Sequence, residues 1–167
     1  DAQHRQAVER RPDRIRLAAS DHDGDVCRLP HGRDGAADHW LATDFGEGSS
    51  TTSGYPRIVK LWKRGTPIGE AKTVFEGKTE DTAAWPIVYD TADGAVPTVM
   101  RADQISDAEH YVVAPDGSTK MLPLPLYAEM RGIFKGEVVF SLRQDWAAAD
   151  GVTYRQGSLL AFTLAVW

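Results

Sequence analysis

Glu109-His110-Tyr111-Val112-Val113-Ala114-Pro115-Asp116-Gly117-Ser118-Thr119-Lys120-Met121-Leu122 is two short extended runs around a turn. Tyr111, Val112 and Val113 are the aromatic and β-branched side chains that suit a pleated strand. Pro-Asp-Gly adds a fixed φ, a carboxylate that can bond its own backbone, and the positive φ that a tight hairpin requires. The same grammar continues outward. Upstream, Pro86-Ile87-Val88-Tyr89 and Thr98-Val99-Met100 are split by the turn Thr91-Ala92-Asp93-Gly94. Before them come His39-Trp40-Leu41-Ala42-Thr43, Arg57-Ile58-Val59-Lys60-Leu61-Trp62-Lys63 and Thr73-Val74-Phe75. Downstream, Glu137–Leu142 and Ser158–Leu164 read as strands. No window of a dozen residues holds a capped helical period. The expected class is all-β.

Spacing adds to that. Runs that open a unit are expected near Trp40, Pro86 and Glu137, at intervals of 46 and 51 residues. Four short antiparallel strands per unit at such a period is the pattern of β-propeller blades, which predicts an incomplete propeller of two to three blades. An ordinary antiparallel sandwich fits the periodicity equally well. The first and third units also rhyme. Asp44-Phe45, a small-residue loop, Tyr55 and a strand from Arg57 are matched by Asp145-Trp146, a small-residue loop, Tyr154 and a strand from Ser158.

The 167 residues suffice for one domain, and composition is globular, with 42% hydrophobic and 26% charged residues. Nineteen Lys and Arg against 24 Asp and Glu leave a net charge of −5, which argues against nucleic acid or an anionic membrane as a partner. No apolar run is long enough for a spanning helix, and the polar start DAQHRQAVERRPDR is unlike a secretory signal. Cys27 stands alone, which excludes an internal disulfide and fits a reducing, cytoplasmic setting. The averages hide a boundary. All 15 aromatic residues lie at Trp40 or later, whereas residues 1–39 hold seven arginines and four of the five histidines. Residues 1–39 are therefore expected to be an atypical leader: poorly ordered, a thin edge structure, or a product of a shifted reading frame. Residues 40–167 are expected to form the β domain.

Thr43-Asp44-Phe45-Gly46-Glu47-Gly48-Ser49, continuing through Ser53-Gly54-Tyr55-Pro56-Arg57 to Gly65-Thr66-Pro67, resembles the amino-terminal propeller of bacterial prolyl-oligopeptidase-family serine peptidases. Ala114–Ser118, Leu122–Leu126, Phe134-Lys135-Gly136, Leu142–Trp146 and Thr153–Leu159 resemble it too, so the likeness covers about residues 40–167. The resemblance implies a divided protein. A seven-bladed propeller restricts access to short peptides, and a separate α/β-hydrolase carries the serine, aspartate and histidine of catalysis. This chain would then hold less than half the propeller, with the hydrolase domain and a short peptide substrate as its partners.

Catalytic chemistry is missing from the residues themselves. No G-x-S-x-G pentapeptide occurs. Ser49, Ser50 and Ser53 read as a solvated loop, and His110 as an exposed or edge-facing strand residue. No catalytic residue is expected here. Asp21-His22-Asp23-Gly24-Asp25 fails the calcium-loop template at its sixth and twelfth positions. His4, His22, His31, His39 and Cys27 lack the spacing of zinc ligand pairs, so neither metal nor cofactor is expected. Lys60, Lys63 and Arg64 around Trp62 fit a strand with solvent-facing lysines better than a nucleic-acid patch. Leu122-Pro123-Leu124-Pro125-Leu126 fits the end of an edge strand passing to the next unit.

The loop from Asp44 to Arg57 is the expected place of substrate contact, because recognition sits on loops held by a rigid scaffold. Asp44, Phe45, Tyr55 and Arg57 are its candidates, with Arg57 suited to a peptide carboxylate and Tyr55 to an apolar side chain. The expected function is a non-catalytic propeller segment of a serine peptidase, inactive alone. Two alternatives stay open: an independent β-rich module that binds a protein or peptide, and a metal-dependent enzyme using the leader histidines.

Overall fold

A computed structural model describes residues 38–104, 107–149 and 151–164, together with the backbone of two earlier strands. The strands are β1 (Ala18–Ala19), β2 (Asp25–Arg28), β3 (Asp38–Ala42), β4 (Ile58–Lys63), β5 (Lys72–Glu76), β6 (Ala83–Thr91) and β7 (Gly94–Gln104). They continue with β8 (Asp107–Val113), β9 (Thr119–Met121), β10 (Ala128–Phe134), β11 (Glu137–Leu142), β12 (Trp146–Ala147), β13 (Thr153–Tyr154) and β14 (Leu159–Thr163). A single 3-10 turn, Ile68–Glu70, interrupts them among the described residues. The class is all-β, as expected.

All pairings are antiparallel and follow chain order. The first sheet runs β1-β2-β3-β4-β5, the middle sheet β6-β7-β8-β9 and the third β10-β11-β14, while β12 and β13 form a separate ribbon between β11 and β14. The expected hairpin is present: β8 and β9 pair from Tyr111↔Met121 to Val113↔Thr119 around Gly117, whose φ is +87°. That φ is cheap only for glycine. In the middle sheet the two prolines fall where a ladder tolerates them. Pro86 lies on the edge strand β6, and Pro97 lies one residue beyond the last β7–β8 pair, Thr98↔Val112.

The sheets stack in series. One core takes Trp40, Ala42, Val59 and Val74 from the first sheet and Ala84, Val99 and Val113 from the middle sheet. A second core joins Val112 and Leu122 to Ile133, Val138 and Leu164, with Tyr89, Val96 and Phe162 packed around it. Successive residues of a strand face opposite sides, so Val112 and Val113 serve different cores. The middle sheet is thus covered on both of its faces.

Two expectations need correction. Units do not open at Trp40 and Glu137; Trp40 lies on β3, the third strand of its sheet, and Glu137 on β11, the second of its sheet, paired to β2 and β10 respectively. β10 escapes notice because Ala128-Glu129-Met130-Arg131 carries helix-favouring residues and its ladder is bulged between Met130 and Gly132. His110 is buried, at 5% exposure, rather than exposed or edge-facing. β8 is an interior strand, flanked by β7 and β9. The leader expected over residues 1–39 lies outside the described residues, save for the backbone of β1 and β2 and for Asp38 and His39 at the start of β3. The candidate ligands His4, Asp21, His22, Asp23, Asp25, Cys27 and His31 lie outside the described side chains. Among the described residues no helix is long and apolar enough to cross a membrane.

Candidate functional site

Because strand direction alternates, the β3–β4, β5–β6, β9–β10 and β11–β14 connections all emerge at one end of the stack. The loop from Asp44 to Arg57 lies there, against the β5–β6 connection. Thr52 N–H donates to the Thr79 carbonyl at 2.8 Å, and Thr51 Oγ1 donates to the Thr82 carbonyl at 3.1 Å. Ala84 N–H donates to the Pro56 carbonyl at 2.7 Å. The loop is thus clamped to the entry of the middle sheet.

The four candidate side chains have different fates. Asp44 Oδ1 accepts Gly46 N–H and Ser49 Oγ, each at 2.8 Å, and these bonds hold its carboxyl below the usual range. Phe45 carries Lys60 Nζ 4.3 Å above its ring. Arg57 is already engaged. Its Nε donates to the Gly48 carbonyl at 2.7 Å, and its Nη1 donates to Glu76 Oε1 at 2.7 Å and the Gly77 carbonyl at 2.8 Å. Tyr55, at 57% exposure, is the exposed aromatic of the four, whereas Asp44, also exposed, is tied into the loop by its hydrogen bonds. The serines serve the loop as well. Ser49 Oγ bonds to Asp44 and to the Gly46 carbonyl, while Ser53 Oγ faces Thr51 Oγ1 and the Thr82 carbonyl.

Beneath this end lies a polar network that sequence reading missed. Arg101 donates from Nε and Nη2 to the two oxygens of Asp81, both at 2.7 Å, and from Nη1 to Glu109 Oε2 at 2.7 Å. Tyr111 Oη donates to that same Glu109 oxygen at 2.6 Å, and its ring meets Phe75 of the first sheet at 4.8 Å. Asp81 also accepts Lys78 N–H at 2.6 Å. These bonds hold the Asp81 and Glu109 carboxyls below their ordinary values and push the Arg101 guanidinium further up. Gly77 makes room for the bend: a Cβ there would stand 2.8 Å from Asp81 Oδ2. The network fixes the β5–β6 connection on which the candidate loop rests.

The rhyme noted in the sequence has a topological basis. Both stretches are connections from the second to the third chain-order strand of a sheet if β2 and β10 are counted as first. In the later one, Asp145 bonds Arg155 Nη1 at 2.7 Å and Gln156 N–H at 2.8 Å, and the Trp146 and Tyr154 rings stack at 5.7 Å. Leu126, 71% exposed, and Tyr127 lie beside it, since Arg143 N–H donates to the Tyr127 carbonyl at 3.0 Å. The end therefore presents aromatic and apolar groups among the described residues. Among the described residues no three His, Cys, Asp or Glu side chains gather as a metal site.

His110 lies away from the loop, in the body of the middle sheet. Its Nδ1 has no hydrogen-bond partner, and burial pulls its pKa below the ordinary histidine value. A histidine whose native pKa is depressed contributes stability above its unfolded pKa, and that contribution is lost as pH falls towards the native value. We expect the melting temperature to decline as pH drops below about 6.5, before the carboxylates titrate, and the decline to vanish in His110→Gln. Identical melts of both proteins between neutral pH and pH 5 would remove the effect.

No protein-family profile matches the chain. It is 30% identical over 130 residues, 75% of its length, to the uncharacterized peptidase y4nA of Sinorhizobium fredii, and covers 18% of that protein. It is 28% identical over 116 residues to the uncharacterized peptidase RP174 of Rickettsia prowazekii, of which it covers 16%. Among solved structures, a post-proline cleaving enzyme from Rickettsia typhi superimposes with a TM-score of 0.70 at 23% identity, over 84% of this chain and 20% of that one. The fold is thus that of a β-sheet part of a peptidase. The chain spans less than a fifth of the curated relatives it matches, both of them uncharacterized peptidases.

Proposed function

We propose that this chain is a non-catalytic segment of the β-propeller of a prolyl-oligopeptidase-like serine peptidase. Three consecutive antiparallel sheets stacked face to face, the middle one covered on both sides, carry the reading; each sheet is taken as a blade. In the parent protein, serine-type hydrolysis of short peptides belongs to an α/β-hydrolase outside this segment. The propeller limits which peptides reach it. The hydroxyls of Ser49 and Ser53 support a non-catalytic role, since both are committed to loop bonds.

The end bearing Asp44, Phe45, Tyr55 and Arg57 is the surface that meets peptide, and Tyr55 is its contact residue. Asp44 and Arg57 hold the loop in shape, and Phe45 anchors it through Lys60. The 167-residue chain should release no chromophore from prolyl p-nitroanilide peptides. In the longer polypeptide, Tyr55→Ala should raise KM several-fold with kcat little changed, as expected for an aromatic contact of about 0.5–1.5 kcal/mol. Turnover by the 167-residue chain alone overturns the non-catalytic reading. An unchanged KM overturns the contact.

A further inference from the structure

Two seams run through the stack, and they are closed differently. Hydrogen bonds span the first, between the first and middle sheets, at both of its ends. Ala84 N–H donates to the Pro56 carbonyl at one end, and Lys72 Nζ donates to the Asp116 carbonyl at the other, each at 2.7 Å. The second seam, between the middle and third sheets, is closed by apolar side chains. Val112 and Leu122 stand on one wall, and Ile133, Val138 and Leu164 on the other.

His110 stands in this second seam. Alternation along β8 puts it on the Val112 side, opposite Met100 of β7. It also lies next to Leu122, whose N–H donates to the His110 carbonyl at 2.7 Å. The residue is 5% exposed, and its Nδ1 has no hydrogen-bond partner.

The walls offer little to a cation. From β6, Tyr89 packs on this core, and burial pushes its phenol up, so it stays neutral. From β9, Lys120 shares the Val112 side and is exposed. Asp103 sits exposed at the β7 bulge, three residues past Met100. Glu109 and Tyr111, bonded to each other, face the first seam. On the third sheet the positions facing His110's side are Ala128, Met130 and Ile133 of β10 and the even-numbered residues of β11 and β14, all uncharged.

We propose that His110 is a proton-operated latch: on taking up a proton it opens the seam between the middle and third sheets, while the seam between the first and middle sheets stays shut. Neutral imidazole can bury Nδ1 as a bare acceptor, but imidazolium carries a donor and a charge there. Water must then reach the ring, and parting the apolar walls admits it. In the open seam His110 titrates near its ordinary value of about 6.5. In the closed seam burial holds it lower. Opening therefore grows as pH falls through the open-state value, by about tenfold between pH 7.5 and 5.5.

Buried thiols read the two seams apart. In the 167-residue chain carrying Cys27→Ser, Val138→Cys places a thiol in the second seam and Val59→Cys one in the first, since both valines are fully buried. Leu122→Cys, on the facing wall, is a second reporter for the second seam. The labelling rate with dipyridyl disulfide, divided by that of glutathione at the same pH, gives the opening constant. Opening at positions 138 and 122 should exceed that at 59 and rise about tenfold from pH 7.5 to 5.5. His110→Gln and His110→Leu should each abolish the rise. Equal opening at all three positions would mean that the chain unfolds as one unit, and overturns the latch. So does a rise that survives both His110 variants, or no rise at all. None of these failures bears on the propeller reading.

Discussion

Replacing Arg101 with methionine is expected to lower the unfolding free energy by about 3–5 kcal/mol, the range for stripping one partner from a buried ion pair. Arg101 and Asp81 side chains are 13% and 3% exposed, so the change leaves a carboxylate in the interior with Lys78 N–H as its remaining donor. Much of a small domain's net stability is of that order. The pH dependence identifies the cause. In the native protein the Asp81 and Glu109 carboxyls are held low, so their contribution is complete above about pH 4.5, the usual carboxylate range, and fades as pH falls through the lowered values. In Arg101→Met, the stranded Asp81 instead binds a proton more readily in the folded state, and its penalty shrinks on acidification. Urea unfolding of the two proteins should therefore differ most at neutral pH and converge towards pH 4. A difference under about 1 kcal/mol, the scale of an exposed ion pair, or one that does not narrow with acid, would show that the network holds nothing together.

The second large effect is at Trp40. This side chain is 4% exposed in the core between the first and middle sheets, and its Nε1 has no acceptor. Trp40→Ala should cost about 3–5 kcal/mol, the usual toll of emptying an aromatic site in a packed core. Trp40→Phe should cost far less than its lost volume suggests. Leaving a buried donor unpaired carries a penalty of about 1–3 kcal/mol, and phenylalanine has no donor to strand. Chemical denaturation of both variants decides the matter. Equal losses in Phe and Ala would mean that the indole N–H contributes to stability after all.

Strand positions were legible because the side chains that favour strands and the turns that end them are local signals. Glu137–Leu142 is reproduced to the residue, and the Pro115-Asp116-Gly117 turn forms as its chemistry demands. β10 was not legible, since helix-favouring Ala128, Glu129, Met130 and Arg131 occupy a strand imposed by its pairing with β11, where Leu142 and Phe140 lie opposite Ala128 and Met130. The candidate loop was legible as a loop but not in its bonding. Arg57 reaches Glu76, a residue 19 positions on, and no local rule foretells that pairing. Asp81, Arg101 and Glu109 are likewise brought together only by the meeting of a connection with two neighbouring strands. The Asp145–Tyr154 stretch was marked by its rhyme with Asp44–Tyr55, but ring stacking across the ribbon needed coordinates.

Val112 and Val113, neighbours in β8, look into different cores. A slip of β8 by one residue would exchange the linings of both at once, bringing His110 and Tyr111 to each other's side. No intermediate misalignment satisfies one core while sacrificing the other. The central strand therefore ties the alignment of both neighbouring layers to a single register, and a slip is penalised on its two sides together.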